Sequence, residues 1–159
     1  MTDQKGKGPG DVMVAVKKLH PNAVLPVYMT EHAAGLDLHA ALDGPLQVAP
    51  GDRVLVPTGL AMAIPPGFEG QVRPRSGLAI RQGLTLLNAP GTIDADYRGE
   101  VGIIVINHGS MTVAINPGDR IAQLIIAPVC RAELFEVDEL EATSRNDGGF
   151  GHTGTGKRG

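Results

Sequence analysis

The sequence is short of the residues that usually hold a domain together from within. It has a single cysteine, Cys130, in 159 residues, so no disulfide can form inside the chain, which fits a reducing compartment. It has no tryptophan, and its only aromatic residues are Tyr28, Phe68, Tyr97, Phe135 and Phe150. A core must therefore be assembled from Val, Ile, Leu, Ala and Met, and a core so poor in large side chains favours further burial between subunits. His20, His32, His39, His108 and His152 are scattered, without the paired spacing of a zinc site. No apolar run approaches the ~20 residues of a membrane span. Met1–Gly10 is polar and glycine-rich, unlike the apolar stretch of a secretion signal. The formal net charge is -3 with no long basic run. That counts against a nucleic acid polymer as partner, while a small anion needs only a local basic patch. The expectation is a cytoplasmic protein without a membrane or polymer partner.

What the chain does have is punctuation: 22 Gly and 12 Pro. From Val12 onward, short apolar runs rich in β-branched residues lie between turns. These are Val12–Val16, Arg53–Ile64, Glu100–Asn107, Met111–Ile115 and Arg120–Ile126, the pattern of an all-β barrel or sandwich. PGDR occurs at Pro50–Arg53 and again at Pro117–Arg120, each time ahead of an apolar run, and Pro-Gly suits the centre of a type II turn. Only Gly77–Gln82 reads as a helix, with Ser76 as its N-cap; Glu139–Ala142 offers one further turn. Residues 1–10 cannot bury anything and are expected to be disordered. The folded domain is expected over 11–142. The glycine-rich stretch 143–159 is expected to be a flexible arm that carries one aromatic, Phe150.

Five segments carry polar residues that a strand or turn alone does not require. In Ala34–Ala40, alternation puts Asp37 on the face opposite Leu36 and Leu38, though a solvent-facing or hydrogen-bonded Asp is the plainer account. In Arg73–Ala79, arginines precede Ser76-Gly77 and a helix start, where backbone N–H groups and a guanidinium fork attract phosphate; a capped surface turn would look the same. In Leu87–Val101, Asn88 offers a donor and an acceptor, as reading a uracil-like edge requires. Asp94 there can serve as a general base and Tyr97 gives a flat face, while a polar hairpin remains the simpler reading. In Gly118–Ile126, Gln123 interrupts an apolar strand and must find a partner, either backbone or ligand. In Arg145–Gly154, Arg145, Thr153 and glycine N–H groups can wrap phosphates and Phe150 can stack on a base. This last segment lacks the Walker lysine pattern.

Taken in order, the five segments resemble the five motifs of the homotrimeric dUTPase family, with RSG, GTIDADYRG and GGFGHTG the most specific pieces. The resemblance spans about Ala34 to Gly154. It implies a jelly-roll-like β subunit with one short helix, in a three-fold homotrimer whose active sites are shared between chains. It implies hydrolysis of dUTP to dUMP and pyrophosphate with Mg²⁺, which limits uracil in DNA and supplies dUMP for thymidylate synthesis. By the same resemblance Asp94 activates the attacking water, and Asn88 with Gly91, Thr92 and Ile93 reads uracil from a hairpin. Tyr97 lies under deoxyribose and excludes a 2′-hydroxyl. Arg75, Ser76, Gly77 and Gln123 bind phosphate, and Asp37 acts on the metal through water. Arg145, Phe150 and Thr153 belong to an arm that closes over a neighbour's site. Two departures stand out: Asn146 where many members have Gly after Arg, and His152 where Ser is common. A dCTP deaminase shares the fold, but in that family a Glu stands where this chain has Asp94.

Overall fold

The fold is taken from a computed structural model that describes residues 11–149. The expectations for 1–10, Phe150 and Thr153 lie outside the described residues. Ten strands and one helix follow in the order β1 (Ala15–Lys18), β2 (Leu36–His39), β3 (Leu46–Val48), β4 (Arg53–Ala63), β5 (Phe68–Arg73), α1 (Ser76–Gln82), β6 (Leu84–Leu86), β7 (Gly91–Ile93), β8 (Glu100–Asn107), β9 (Val113–Ile115) and β10 (Arg120–Pro128). They form two four-stranded sheets, ordered β1-β4-β8-β6 and β2-β10-β5-β7, and a two-stranded ribbon of β3 and β9. Every pairing is antiparallel. The chain is thus all-β with one short helix, of the jelly-roll-like type.

The apolar faces of the sheets meet in one core. Val56, Leu60, Ile103 and Val105 come from the first sheet, Leu38, Val72 and Leu124 from the second, and Val48 and Ile115 from the ribbon. None of the largest fully buried side chains is aromatic, and Phe68 packs against the core only half-buried. Two polar side chains are wholly buried and both are satisfied. Asn107 donates to the carbonyls of Val48 and Met111 and accepts the Gly109 N–H. Thr58 donates to the Val101 carbonyl at 2.6 Å.

The strands fall where the apolar runs predict, with instructive shifts at their ends. β1 starts at Ala15 rather than Val12 because its partner β4 ends at Ala63, which pairs with Ala15; Pro65 and Pro66 follow, and proline cannot extend a ladder. β8 spans the predicted Glu100–Asn107, while β10 runs on to Pro128. Both PGDR turns close as expected, with Asp52 N–H on the Ala49 carbonyl and Asp119 N–H on the Asn116 carbonyl. Gly51 and Gly118 take φ of 83° and 81°, values that a side chain would strain. No helical turn forms at 139–142. Acidic residues crowd that stretch, and its one large apolar side chain, Leu140, is exposed among the described residues.

Candidate active site

The residues singled out in the sequence gather into two clusters at different corners of the second sheet. The first forms where β2, β10 and the start of α1 meet. In register, Asp37 of β2 stands opposite Gln123 of β10, which stands opposite Arg73 of β5. This row faces away from Leu36, Leu124 and Val72, as strand alternation demands. Gly35 lets the strands close here, since a Cβ on it would lie 3.2 Å from that of Gln123.

Asp37 is only 3% exposed, and a buried carboxylate needs cationic partners. Arg120 donates to it through Nη1 at 3.0 Å, and Arg75 Nε lies 3.7 Å from its other oxygen. Arg75 also donates to the Arg120 carbonyl at 2.8 Å. Two guanidiniums against one carboxylate leave an excess positive charge, suited to an anion. His39, next on the same face, does not add to that charge. Burial pushes its pKa below 6.5, aided by Arg120 and Arg75 and opposed by Asp37. Its Nδ1 is buried and has no hydrogen-bond partner.

Arg75 rather than Ser76 caps α1. Arg75 has extended backbone, with φ −98° and ψ 122°, and its carbonyl accepts the N–H groups of Leu78 and Ala79. Ser76 is therefore the first helical residue, and no side chain caps the helix. The Arg75 side chain is drawn to Asp37 instead. The N–H groups of Ser76 and Gly77 precede the first helical hydrogen bonds and point out of the helix start. At the other end Gly83 takes φ 68°, and a Cβ there would collide with the Gly109 backbone nitrogen.

The second cluster lies around β7. The segment expected as a hairpin is a crossover. β6 pairs with β8 in the first sheet and β7 with β5 in the second, so the turn from Leu87 to Pro90 links the edges of the two sheets. A cavity of about 200 Å³ opens there, lined by Asn88, Gly91, Thr92, Ile93, Asp94 and Tyr97 among others. A Cβ on Gly91 would come 3.3 Å from the Asn88 side-chain nitrogen, so glycine keeps that amide within reach of the cavity. Asp94 is exposed and also lines a wider hollow of about 740 Å³ with Phe68, Glu69, Asp96, Arg98 and Arg131. The turn after it is tied to itself: Tyr97 N–H donates to the Asp94 carbonyl at 3.1 Å. Tyr97 Oη donates to the Glu100 carbonyl at 3.0 Å, and Arg98 Nη1 donates to the carbonyls of Ala95 and Tyr97.

The register measures the gap between the clusters. From β2 to β7 is three strand spacings, about 14 Å. Ile93 pairs with Gly70, so Asp94 lies some four residues along from the row of Arg73 and Asp37, about 13 Å at the usual rise. Asp37 and Asp94 of one chain are therefore about 19 Å apart across the sheet.

The arm residue Arg145 joins neither cluster, because its Nε donates to the Gly148 carbonyl within its own turn. Thr143 Oγ1 accepts the Asn146 N–H, and Asn146 Oδ1 accepts the Thr143 N–H. Asn146 takes φ 42°, the left-handed region that glycine enters freely and asparagine tolerates better than most residues. Arg-Asn thus makes the kind of turn that Arg-Gly would. Sequence reading missed Arg120, Glu100 and Arg98. Arg120 looked like the polar start of a strand, and its place in GDRIAQ beside Gln123 was the only signal.

Comparison with known proteins gives a consistent result. The dUTPase family profile matches residues 21–154. The deoxyuridine 5'-triphosphate nucleotidohydrolase of Syntrophotalea carbinolica is 64% identical over 143 residues, covering 90% of this chain and 97% of that protein. The protein of the same name from Desulfotalea psychrophila is 65% identical over 130 residues, covering 82% of this chain and 87% of its own. Among solved structures, Staphylococcus bacteriophage 80alpha dUTPase with dUPNHPP superposes with a TM-score of 0.83 at 29% identity, covering 90% of this chain and 99% of that one. A mutant of the dUTPase from phage phi11 of S. aureus, described with a coordinated structural Mg(II) ion, gives 0.74 at 28% identity over 82% of this chain and 99% of its own.

Proposed function

This chain belongs to the dUTPase family and catalyses the hydrolysis of dUTP, and we propose that it does so with Asp94 as general base, in a site shared between subunits of a trimer. The observation that carries the residue assignment is the cavity beside β7, where Asn88, Gly91–Asp94 and Tyr97 converge. A pyrimidine edge needs both a donor and an acceptor, which the Asn88 amide and the strand backbone supply. The Tyr97 ring offers a flat wall against a sugar. Asp94 lies next to both, exposed to water that it can orient. Attack of that water on the α-phosphorus forms a new P–O bond, the bond to the bridging oxygen breaks, pyrophosphate leaves, and Asp94 takes the proton. The products are dUMP and pyrophosphate. Removal of dUTP limits uracil incorporation into DNA, and dUMP feeds thymidylate synthesis.

The arginine cluster fits the phosphates. Arg75, with the N–H groups of Ser76 and Gly77 and the side chain of Gln123, supplies donors around an excess positive charge. The donor set also fits Mg²⁺ held mainly by substrate oxygens and water. The described residues hold no grouping of three or more His, Cys, Asp or Glu that could hold a metal, and the Asp37 oxygens are already engaged by Arg75 and Arg120. Asp37 would then meet the ion through its water shell. When bound, Mg²⁺ neutralises phosphate charge; Arg75 and Asp94 position and activate.

Three observations support the shared site. A base and its phosphate ligands must lie within a few ångströms of one triphosphate, yet Asp37 and Asp94 of one chain are separated by about 19 Å. Leu134, Phe135 and Leu140 are 83–90% exposed in the stretch after β10, apolar area that another chain would cover. Among the described residues no aromatic is fully buried in the core. A site made from Asp94 of one chain and Arg75 of a second, closed by Arg145, Phe150 and Thr153 of the arm, meets all three. The decisive experiment compares pyrophosphate release from dUTP, UTP, dTTP and dCTP: release from dUTP alone is expected, and equal release from UTP would remove the sugar assignment of Tyr97.

A further inference from the structure

The register of the first sheet contains an irregularity that leads to Tyr97. Between the pairs Pro57–Gly102 and Ala61–Glu100, the residues Thr58, Gly59 and Leu60 of β4 stand opposite the single residue Val101 of β8. Such a bulge removes ladder partners, and the freed groups must be satisfied otherwise. The Val101 carbonyl receives the Thr58 hydroxyl at 2.6 Å. The Gly59 N–H is received by the Glu100 carboxylate at 2.7 Å. Only glycine fits at position 59: its φ is 65°, and a Cβ there would lie 2.7 Å from His20, 2.9 Å from Ala23 and 3.1 Å from Ala41. The bulge is thus held by side-chain hydrogen bonds, and the Glu100 side chain ties the end of the 94–100 turn to it.

Tyr97 rests on that same end of the turn. Its hydroxyl donates to the Glu100 carbonyl at 3.0 Å. Its ring lies over Gly99, where a Cβ would collide with Oη and come 2.6 Å from Cζ. An exposed tyrosine would ordinarily sample several rotamers. Here the bare backbone of Gly99 and the carbonyl of Glu100 define one resting place for the ring. We infer that Gly99 and Glu100 are positioning residues for Tyr97, and that the anchor of Glu100 on the β4 bulge sets how strictly the site separates deoxyribose from ribose. The inference rests on the reading in which Tyr97 lies against the sugar. Glu100 also lines the cavity, but its carboxylate is taken by the Gly59 N–H and its carbonyl by the Tyr97 hydroxyl, so its part in the inference is to hold the ring.

The test measures kcat/KM for dUTP and for UTP in wild type, Gly99→Ala, Glu100→Ala, Glu100→Gln and Tyr97→Phe, each checked for assembly and melting temperature. Loss of one such hydrogen bond is expected to narrow the dUTP/UTP ratio about fivefold in Glu100→Ala and Tyr97→Phe. Gly99→Ala is expected to narrow it at least as much, because the ring itself must move. Glu100→Gln keeps an oxygen to accept the Gly59 N–H, and its ratio is expected to stay within about twofold of wild type. If Glu100→Ala does not fold, Gly99→Ala and Tyr97→Phe carry the test without touching the bulge. Unchanged ratios in the folded variants would overturn the inference. So would an equal fall for both nucleotides, which is what general damage gives, or a loss in Glu100→Gln as large as in Glu100→Ala. Failure of the underlying reading looks different: wild type itself would show no preference for dUTP over UTP.

Discussion

Chains carrying Arg75→Ala and chains carrying Asp94→Asn are each expected to be nearly inactive alone and to restore activity to one another when co-assembled. The reason is the separation of about 19 Å between the two clusters in one chain. If each site takes its base from one subunit and its phosphate donors from the next, a site is whole when an Arg75→Ala chain supplies Asp94 and an Asp94→Asn chain supplies Arg75. Around a three-fold ring holding both kinds of chain, one of the three subunit junctions meets that condition, whichever variant is in the majority. Purified mixed trimers should therefore recover about one third of wild-type activity. The parents set the background. Loss of a general base removes roughly 10²–10⁴ in rate, and loss of charge-assisted phosphate bonds removes about 1.5–3 kcal/mol, or some tenfold or more. The assay is co-expression with two affinity tags, sequential capture, confirmation of mixed trimers by native mass measurement, and pyrophosphate release at low dUTP. Mixed trimers that stay at the level of the parents would refute the shared site, because both halves would then belong to one chain.

Asp94→Asn alone should leave the melting temperature within about 2 °C of wild type, because the side chain is exposed and surface changes of this kind cost little; a large fall in melting temperature would make Asp94 a structural residue. A chain ending at Thr143 should still fold and assemble while losing most activity, since six of the final twelve residues are glycine and contribute little to a core; full activity in the truncated chain, measured by pyrophosphate release, would remove the arm from the mechanism. His39 should add an acid-side loss of stability. Its folded pKa lies below 6.5, so as pH falls through 6.5 the unfolded chain takes up a proton that the folded chain refuses, and stability declines until the folded pKa is passed. Denaturation midpoints across that window should flatten in His39→Gln; an unchanged slope would mean that other groups carry the acid sensitivity.

The β8 and β10 strands were legible because apolar runs bounded by Gly and Pro leave few alternatives to a strand. The gathering of Asn88, Asp94 and Tyr97 around one cavity was legible because they lie within ten residues of one another in one turn-rich stretch. β3 and β5 were not. Phe68–Arg73 is half polar, since its outer face carries Glu69, Gln71 and Arg73 in a line of side-chain hydrogen bonds. The crossover between β6 and β7 was invisible too, because a short turn between two apolar runs looks like a hairpin until each strand's partner is known. Asp37 and Arg120 are 83 residues apart, and only the bulged pairing of β2 with β10 brings them together. The N-cap was misread for a related reason: Ser76 had the right chemistry, but Arg75 had a distant carboxylate to reach.

The stretch that follows β10 bears on how a lone chain stays in solution. It is made after the barrel, and a lone chain holds Leu134, Phe135, Val137 and Leu140 in water. Left bare, such a run would invite indiscriminate strand pairing and precipitation. Glu133, Glu136, Asp138, Glu139 and Glu141 are threaded between those side chains. Two such tails brought side by side would repel, so the run acts as its own gatekeeper against aggregation. In the proposed trimer, partnership would be left to a surface that neutralises the acids while covering the apolar residues, so the solubility of the lone subunit and its fidelity in choosing partners would come from the same eleven residues, 131–141.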